Sequence, residues 1–357
     1  FADGPDGMSF ESDATDGIDY YFMYGRTTDG TVAAMRRLTG DVPMMPLWSY
    51  GFWQSRERYA SQEELLQVVC DYRRLGIPLD CIVQDWQYWG GNDRWNAMDF
   101  GNPAFPKPKE MVDAVHDLHA HMIISVWCSF GTNTAQYAEL DRMGAILGNY
   151  LTWHPDSRAY DVWNEKARDI YWKYLSKLGE CGVDGWWMDS TEPEPRGFHA
   201  EDVDKPNAQI DAPTALGSMR RVRLSYPFLA VGNVSERERK AHPDRRTVIL
   251  TRCGSAGQQR YTCNVWSGDI RSSWQSLRRQ VTACLGMSLS GLPHVNCDIS
   301  GFTPTAELTP ELYARWMQFG AFLPMMRSHG TGGVKRELNE FCRVGDRVKN
   351  FGIYSEL

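Results

Sequence analysis

The apolar positions of this chain fall into two alternating textures. Short runs rich in β-branched and aromatic residues predict strands, and each is followed by a polar or glycine-containing turn and then a longer stretch of helical period. The runs are LWSYGFW (47–53), CIVQDW (81–86), MIISVW (122–127), GWWMDS (185–190), TVILTR (247–252), CNVWSGD (263–269), VNCDISGF (295–302) and AFLPMM (321–326). The helical period is clear in SQEELLQVVCDYRRLG (61–76), PKEMVDAVHDLHAH (108–121) and NEKARDIYWKYLSKLGECG (164–182). In the first of these Leu65, Val68, Val69 and Tyr72 share a face, Ser61 and Glu64 form a capping box, and Gly76 is a stop signal, as Gly182 is for the third. Eight strands alternating with helices predict a parallel α/β sheet, and at that number a closed (β/α)8 TIM barrel is the economical arrangement. An open doubly wound sheet is the alternative, but no GxGxxG or P-loop follows any strand, so a nucleotide crevice has no support.

Residues 1–43 differ in texture. GIDYYFMYGR (17–26) reads as the last strand of an all-β neighbour, with a linker after it. The barrel is expected over residues 44–330, and the polar, irregular residues 331–357 as a truncated C-terminal part of the barrel region. The chain opens on Phe1 with neither an initiator methionine nor a leader, so it is expected to be a piece of a longer polypeptide, and its compartment is not readable.

Composition narrows the choice of partner. A net charge of −7 without a Lys/Arg-rich stretch argues against nucleic acid. Residues 281–297 contain no Asp, Glu, Lys or Arg, but Gly, Pro, Ser and His interrupt them, so no membrane span is expected. The nine cysteines (70, 81, 128, 181, 253, 263, 284, 297 and 342) are scattered without CxxC pairs and read as buried thiols.

The chemistry lies where the strands end. Asp85, Trp127, Asp189, Arg252, Asp269, Asp298 and His329 each fall at or just past the C-terminal end of a run, the face that holds active sites in such barrels. In GWWMDS, alternation puts Trp187 and Asp189 on the inward face and Trp186 and Met188 on the helix side. An indole beside a carboxylate suits a sugar, whose C–H face stacks while its hydroxyls take polar partners. A strand-end Asp that merely caps a turn is the plainer reading, and for Asp189 alone the two balance. VWSGDI adds Asp269, and two carboxylates across a barrel mouth suit glycoside hydrolysis. Arg252 and Arg327 are placed to keep such carboxylates ionised, Asp85 and Asp298 to accept hydroxyls, and His329 to meet a hydroxyl or act as an ordinary satisfied histidine. The crowding tryptophans are poor company for a hydrated cation, and there is no HExxH or paired histidine, so neither metal nor cofactor is expected.

Five ordered blocks resemble glycoside hydrolase family 31, most closely its bacterial α-xylosidase branch: MMPLWSYGFWQSRERYASQEELLQVVCDYRRLGIPLDCIVQDWQYWG, WWMDSTEPE, LTRCGSAGQQRYTCNVWSGDI, SLSGLPHVNCDISGF and PMMRSHG. The resemblance implies a retaining, exo-acting α-glycosidase on a (β/α)8 barrel, with residues 1–43 ending an N-terminal β-sandwich. It implies Asp189 as nucleophile and Asp269 as acid/base. It also implies Asp85, Trp127, Trp187, Arg252, Trp266, Asp298, Phe302 and His329 around the non-reducing-end sugar, and Glu192 in support. Trp86 would set a bulky ring near the C6 position of a hexose and so favour xylose; the plainer reading is core. Cys128-Ser129, Cys253-Gly254 and the Ser300 of DISGF depart from the branch pattern beside the pocket. The expected partner is an oligosaccharide or α-glycoside. Still open are an α-glucosidase, an α-galactosidase, a transglycosylase and a catalytically silent sugar-binding domain, as are a homo-oligomer and a bacterial cytoplasmic or periplasmic location.

Overall fold

The computed structural model describes residues 2–12, 14–152, 154–194 and 211–331. Residues 332–357, nearly all of the stretch expected as a truncated C-terminal part of the barrel region, lie outside the described residues, as does Cys342. Eight parallel strands form the central sheet: β1 Phe52–Ser55, β2 Cys81–Gln84, β3 His121–Trp127, β4 Gly185–Asp189, β5 Ile249–Thr251, β6 Cys263–Trp266, β7 Val295–Asn296 and β8 Met326–Ser328. Each pairs with its sequence neighbour, and β8 returns to pair with β1, Met326 opposite Phe52. Between β7 and β8 the ring is closed only by a bridge just past β7, in which the Ile299 amide donates to the Arg327 carbonyl at 3.0 Å. The α/β barrel is thus nearly closed, as the eight runs predicted.

Two runs are shifted. Leu47–Tyr50 forms a 3-10 turn, and the first strand begins only at Phe52, after Gly51. The last strand starts at Met326 because Pro324 has no amide to give a ladder. The predicted helices appear as Gln62–Arg74, Pro108–Asp117 and Glu165–Gly179. Ser61 caps the first by accepting the Glu64 amide at 3.1 Å, while Glu64 reaches back one residue further than a capping box requires, to the Ala60 amide. Further helices cover Ala135–Arg142, Tyr226–Ala241, Trp274–Leu289 and Pro310–Gly320. A small antiparallel sheet (Ser129–Gly131, Ile146–Leu151, Ser157–Tyr160) fills the connection after β3.

Alternation on the strands divides the core in two. Trp53, Cys81, Val83, Ile123, Trp187, Val248, Leu250, Trp266 and Met325 pack inside the barrel. Trp186 and Met188 belong to the larger layer between barrel and helices, where the Trp186 indole donates to Glu238 Oε1 at 2.8 Å. Full burial of each such aromatic or aliphatic side chain is worth about 1.5–3 kcal/mol.

Residues 17–26 take no strand, and Ile18, Tyr20, Tyr21, Phe22 and Tyr24 are exposed. The helix Thr28–Thr39 follows and is tied to the barrel where Gln259 Nε2 donates to Thr39 Oγ1 at 2.9 Å. The thiols are not uniformly buried: Cys70 is exposed, and Cys181 and Cys253 are half-buried.

Candidate active site

The strand ends gather the expected residues at one end of the barrel. Asp85 follows β2, Trp127 ends β3, Asp189 ends β4 and Arg252 follows β5; Trp266 ends β6 with Asp269 three residues on, Asp298 lies just past β7 and His329 just past β8. Right-handed β/α progression puts all these ends on the same side, which is why residues so far apart in sequence meet.

Arg252 is the centre of charge. Its Nη1 lies 3.8 Å from Asp189 Oδ1 and 4.0 Å from Asp269 Oδ2, so the two carboxylates address a single nitrogen. Its Nη2 donates to Glu192 and Glu194, and to Ser190 Oγ at 3.2 Å. Glu194, which lies past the strand, is therefore as close to the guanidinium as Glu192; only a tertiary arrangement reveals it. Directly after Asp189 the backbone turns left-handed, Ser190 having φ 52°, and the Ser190 amide donates to Asp189 Oδ1 at 2.7 Å. A non-glycine residue in that region is a local cost of order 1 kcal/mol that fixes the carboxylate's direction.

Burial sets the protonation. It pushes Asp189 up to about 8; Arg252 pulls back, while Asp269, Glu192 and Glu194 push the same way as burial. Asp269 is also raised, again by burial first, with Arg252 opposing and Glu57 reinforcing. Both raised carboxyls face one guanidinium, whose charge opposes the effect of burial on each. The Asp189 side chain is 11% exposed and that of Asp269 51%, so Asp269 is the more accessible of the two, at the mouth.

The wall is aromatic and cationic. Trp187 and Trp266 meet edge to face at 5.7 Å, and the Arg327 guanidinium lies over both rings, 4.8 and 5.3 Å from their centroids. Arg327 and Asp298 form an ion pair with both side chains 0% exposed. Removing one member of such a pair is far costlier than the pair is stabilising, so its presence marks a functional constraint better than a stability gain. His329 Nδ1 is 2.8 Å from Ser55 Oγ, and its ring stacks on Phe302 at 5.3 Å and stands edge-on to Trp187 at 5.1 Å. Asp85 accepts the Trp86 amide at 2.7 Å; burial, then the charge of Glu57, pushes it well above the ordinary carboxylate range. Trp86 is half-buried, its ring 3.9 Å from the Arg58 guanidinium and 5.2 Å from Trp95. Trp127 stands edge-on to Trp95 at 4.8 Å, and its carbonyl accepts from Asn96 Nδ2 at 2.8 Å.

Among the described residues, the buried indole nitrogens of Trp187 and Trp266 and the Nε and Nη1 of Arg327 have no hydrogen-bond partner. An unmatched buried donor costs about 1–3 kcal/mol, which a ligand group placed against it would relieve. The arrangement offers donors, carboxylates and flat apolar faces together, which is what a polyhydroxylated ring needs. Glu57 and Ser55, at the end of β1, act on this site but carried no signal in the sequence, because their relevance depends on β1 closing against β8. The candidate metal ligands that converge among the described residues, His116, His121 and Asp184, lie at the opposite end of the barrel.

Comparison with known proteins gives the same fold and its relatives. The model of the Glycosyl hydrolases family 31 TIM-barrel domain matches residues 42–352. An α-xylosidase of Saccharolobus solfataricus is 38% identical over 317 residues, 88% of this chain and 42% of that protein. An α-glucosidase of Bacillus thermoamyloliquefaciens is 28% identical over 90% of this chain and 41% of its own length. The crystal structure of an α-xylosidase from Xanthomonas citri superposes with a TM-score of 0.80 at 41% identity, covering 87% of this chain and 36% of that one. The chain thus spans less than half the length of these relatives.

Proposed function

The chain belongs to glycosyl hydrolase family 31, and on that premise we propose that it is the catalytic barrel of a retaining, exo-acting α-glycosidase that releases non-reducing-end α-xylosyl residues. The observation that carries this reading is the pair of carboxylates, Asp189 and Asp269, addressing one Arg252 nitrogen beside a tryptophan wall. Asp189, buried and aimed by the Ser190 amide, attacks the anomeric carbon while Asp269 gives its proton to the leaving oxygen. The glycosidic C–O bond breaks as the Asp189–carbon bond forms. Water then attacks the β-glycosyl ester, with Asp269 taking its proton and Asp189 leaving as carboxylate. Retention asks for carboxyl groups about 5–5.5 Å apart.

In this proposal Trp187 and Trp266 take the apolar face of the sugar, Asp85, Asp298, Arg327 and His329 its hydroxyls, and Trp127 and Phe302 complete the wall. Arg252 and Glu192 hold the charge balance. Xylose is favoured by the two similar α-xylosidases and by Trp86, whose ring is braced by Arg58 next to Asp85. An α-glucosidase with the same site is the second reading, motivated by the similarity to the Bacillus α-glucosidase.

The test uses the intact full-length protein on aryl α-xyloside, α-glucoside and α-galactoside in parallel. The proposal expects the highest kcat/KM on the xyloside; preference for the glucoside would establish the second reading. Asp269→Ala is expected to slow poorly activated leaving groups by about 10²–10⁴-fold, the usual worth of a general acid, and activated aryl ones far less. Equal loss on both would remove Asp269 from that role.

A further inference from the structure

Asp184 lies at the other end of β4 from Asp189, at the N-terminal face of the barrel. There it meets His121, the first residue of β3, and His116, near the end of the helix Pro108–Asp117. The register of β3 on β4, Ile123 opposite Gly185, brings the three side chains together. His116 Nε2 is 2.8 Å from Asp184 Oδ2, His121 Nδ1 is 3.0 Å from Asp184 Oδ1, and the three ligand atoms all lie within 4.8 Å of one another. The buried His121 Nδ1 has no correctly angled hydrogen bond among the described residues. His116 Nε2 is hydrogen-bonded to the carboxylate, so of the two ring nitrogens facing Asp184 the unmatched one is that of His121.

The surroundings fix these ligands. The Met122 amide donates to Asp184 Oδ2 at 2.9 Å, the His121 ring stacks on Trp48 at 4.3 Å, and the His121 amide donates to the Asp80 carbonyl at 2.8 Å. Such outer contacts are what hold imidazole and carboxylate ligands in place around a metal. Side-chain exposures of 37%, 36% and 17% for His116, His121 and Asp184 leave a route for an ion and room for water.

We propose that His116, His121 and Asp184 form a zinc site on the N-terminal face of the barrel, clamping the helix Pro108–Asp117 to β3 and β4, remote from the sugar pocket. Two imidazoles and one carboxylate, with water as fourth ligand, are an ordinary zinc set. Ligand bonds of about 2.0–2.2 Å place tetrahedral neighbours about 3.3 Å apart, so on binding the nitrogen–oxygen contacts open by a few tenths of an ångström while the group, whose ligand atoms lie within 4.8 Å of one another, draws in around the ion. Sequence inspection misses the set because the histidines are five apart, across a helix-to-strand turn, and the aspartate comes from another strand.

The full-length protein, stripped with a chelator, would be titrated with zinc by calorimetry, and with cobalt(II) while recording its visible spectrum. The expected result is one equivalent bound, tetrahedral cobalt bands, and a Tm raised by zinc. His116→Ala and His121→Ala should each weaken binding by at least about a hundredfold, beyond the 10–100-fold usual for outer contacts. His119→Ala, exposed in the same segment but outside the group, should bind as the parent does. Should His121→Ala not fold, His116→Ala, on the partly exposed helix end, carries the test. Binding weaker than about 1 mM, or binding that survives both substitutions, overturns the proposal.

Discussion

Asp189 is held above its unfolded value by the fold around it, and that has a measurable sign. Its folded pKa of about 8 exceeds the roughly 3.9 of an unfolded aspartate, so its contribution to stability is fully present below about pH 4 and is lost as pH rises through about 8. Replacing it by asparagine removes that loss. Asp189→Asn should therefore unfold at a higher Tm than the parent protein, with the gain growing from pH 5 to pH 8, and should have no turnover; a gain that shrinks with rising pH would contradict the assigned burial. Arg252 opposes the shift, so Arg252→Gln should move the acid limb of the kcat/KM profile upward by about one pH unit or more. Asp189 and Asp269 were legible in sequence because each ends a strand-like run beside tryptophan. The fourfold acid partnership of Arg252 was not, since Glu192 and Glu194 reach it only after the chain turns back at Ser190.

At the level of elements, β4 is seated by a glycine. A Cβ on Gly185 would lie 2.6 Å from the Val248 carbonyl oxygen, backbone that cannot step aside. Gly185→Ala should cost about 1–3 kcal/mol, the usual range for overpacking, and displace Asp189 as well, lowering kcat along with the denaturant midpoint. The helix after the small sheet depends on Asn164, whose Oδ1 accepts the Lys166 and Ala167 amides at 3.1 and 3.4 Å. Asn164→Ala should cost about 1 kcal/mol in denaturant unfolding with KM unchanged. Helices with a one-sided apolar stripe, such as Gln62–Arg74, could be read from period alone. Tyr226–Ala241 could not, because its first turns, with only Phe228 and Leu229 half-buried and the rest buried, have no exposed face, nor could Trp274–Leu289, where only Gln280 and Cys284 are buried while Trp274, Leu285 and Leu289 face out. The small sheet escaped for another reason: its pairing is irregular between Ile146 and Leu151, so no steady alternation marks it.

For the whole molecule, the barrel was legible because every strand contributes the same signal and closure follows from their number. Residues 17–26 carried a strand-like signal without a strand in the described structure, and their aromatic side chains form apolar surface of the kind that a partner covers. We keep the proposal that residues 1–43 end a neighbouring β domain; hydrogen exchange on the full-length protein should find the amides of 17–26 protected, and free exchange there would oppose it. The proposed retaining mechanism, however, rests on Asp189. The full-length protein would be incubated with a fluorinated α-xylosyl fluoride that forms a slowly released glycosyl enzyme, then digested and mapped by mass spectrometry. One glycosyl adduct, on Asp189, is expected; an adduct on another residue, or turnover to an inverted product with no adduct, would overturn the retaining mechanism.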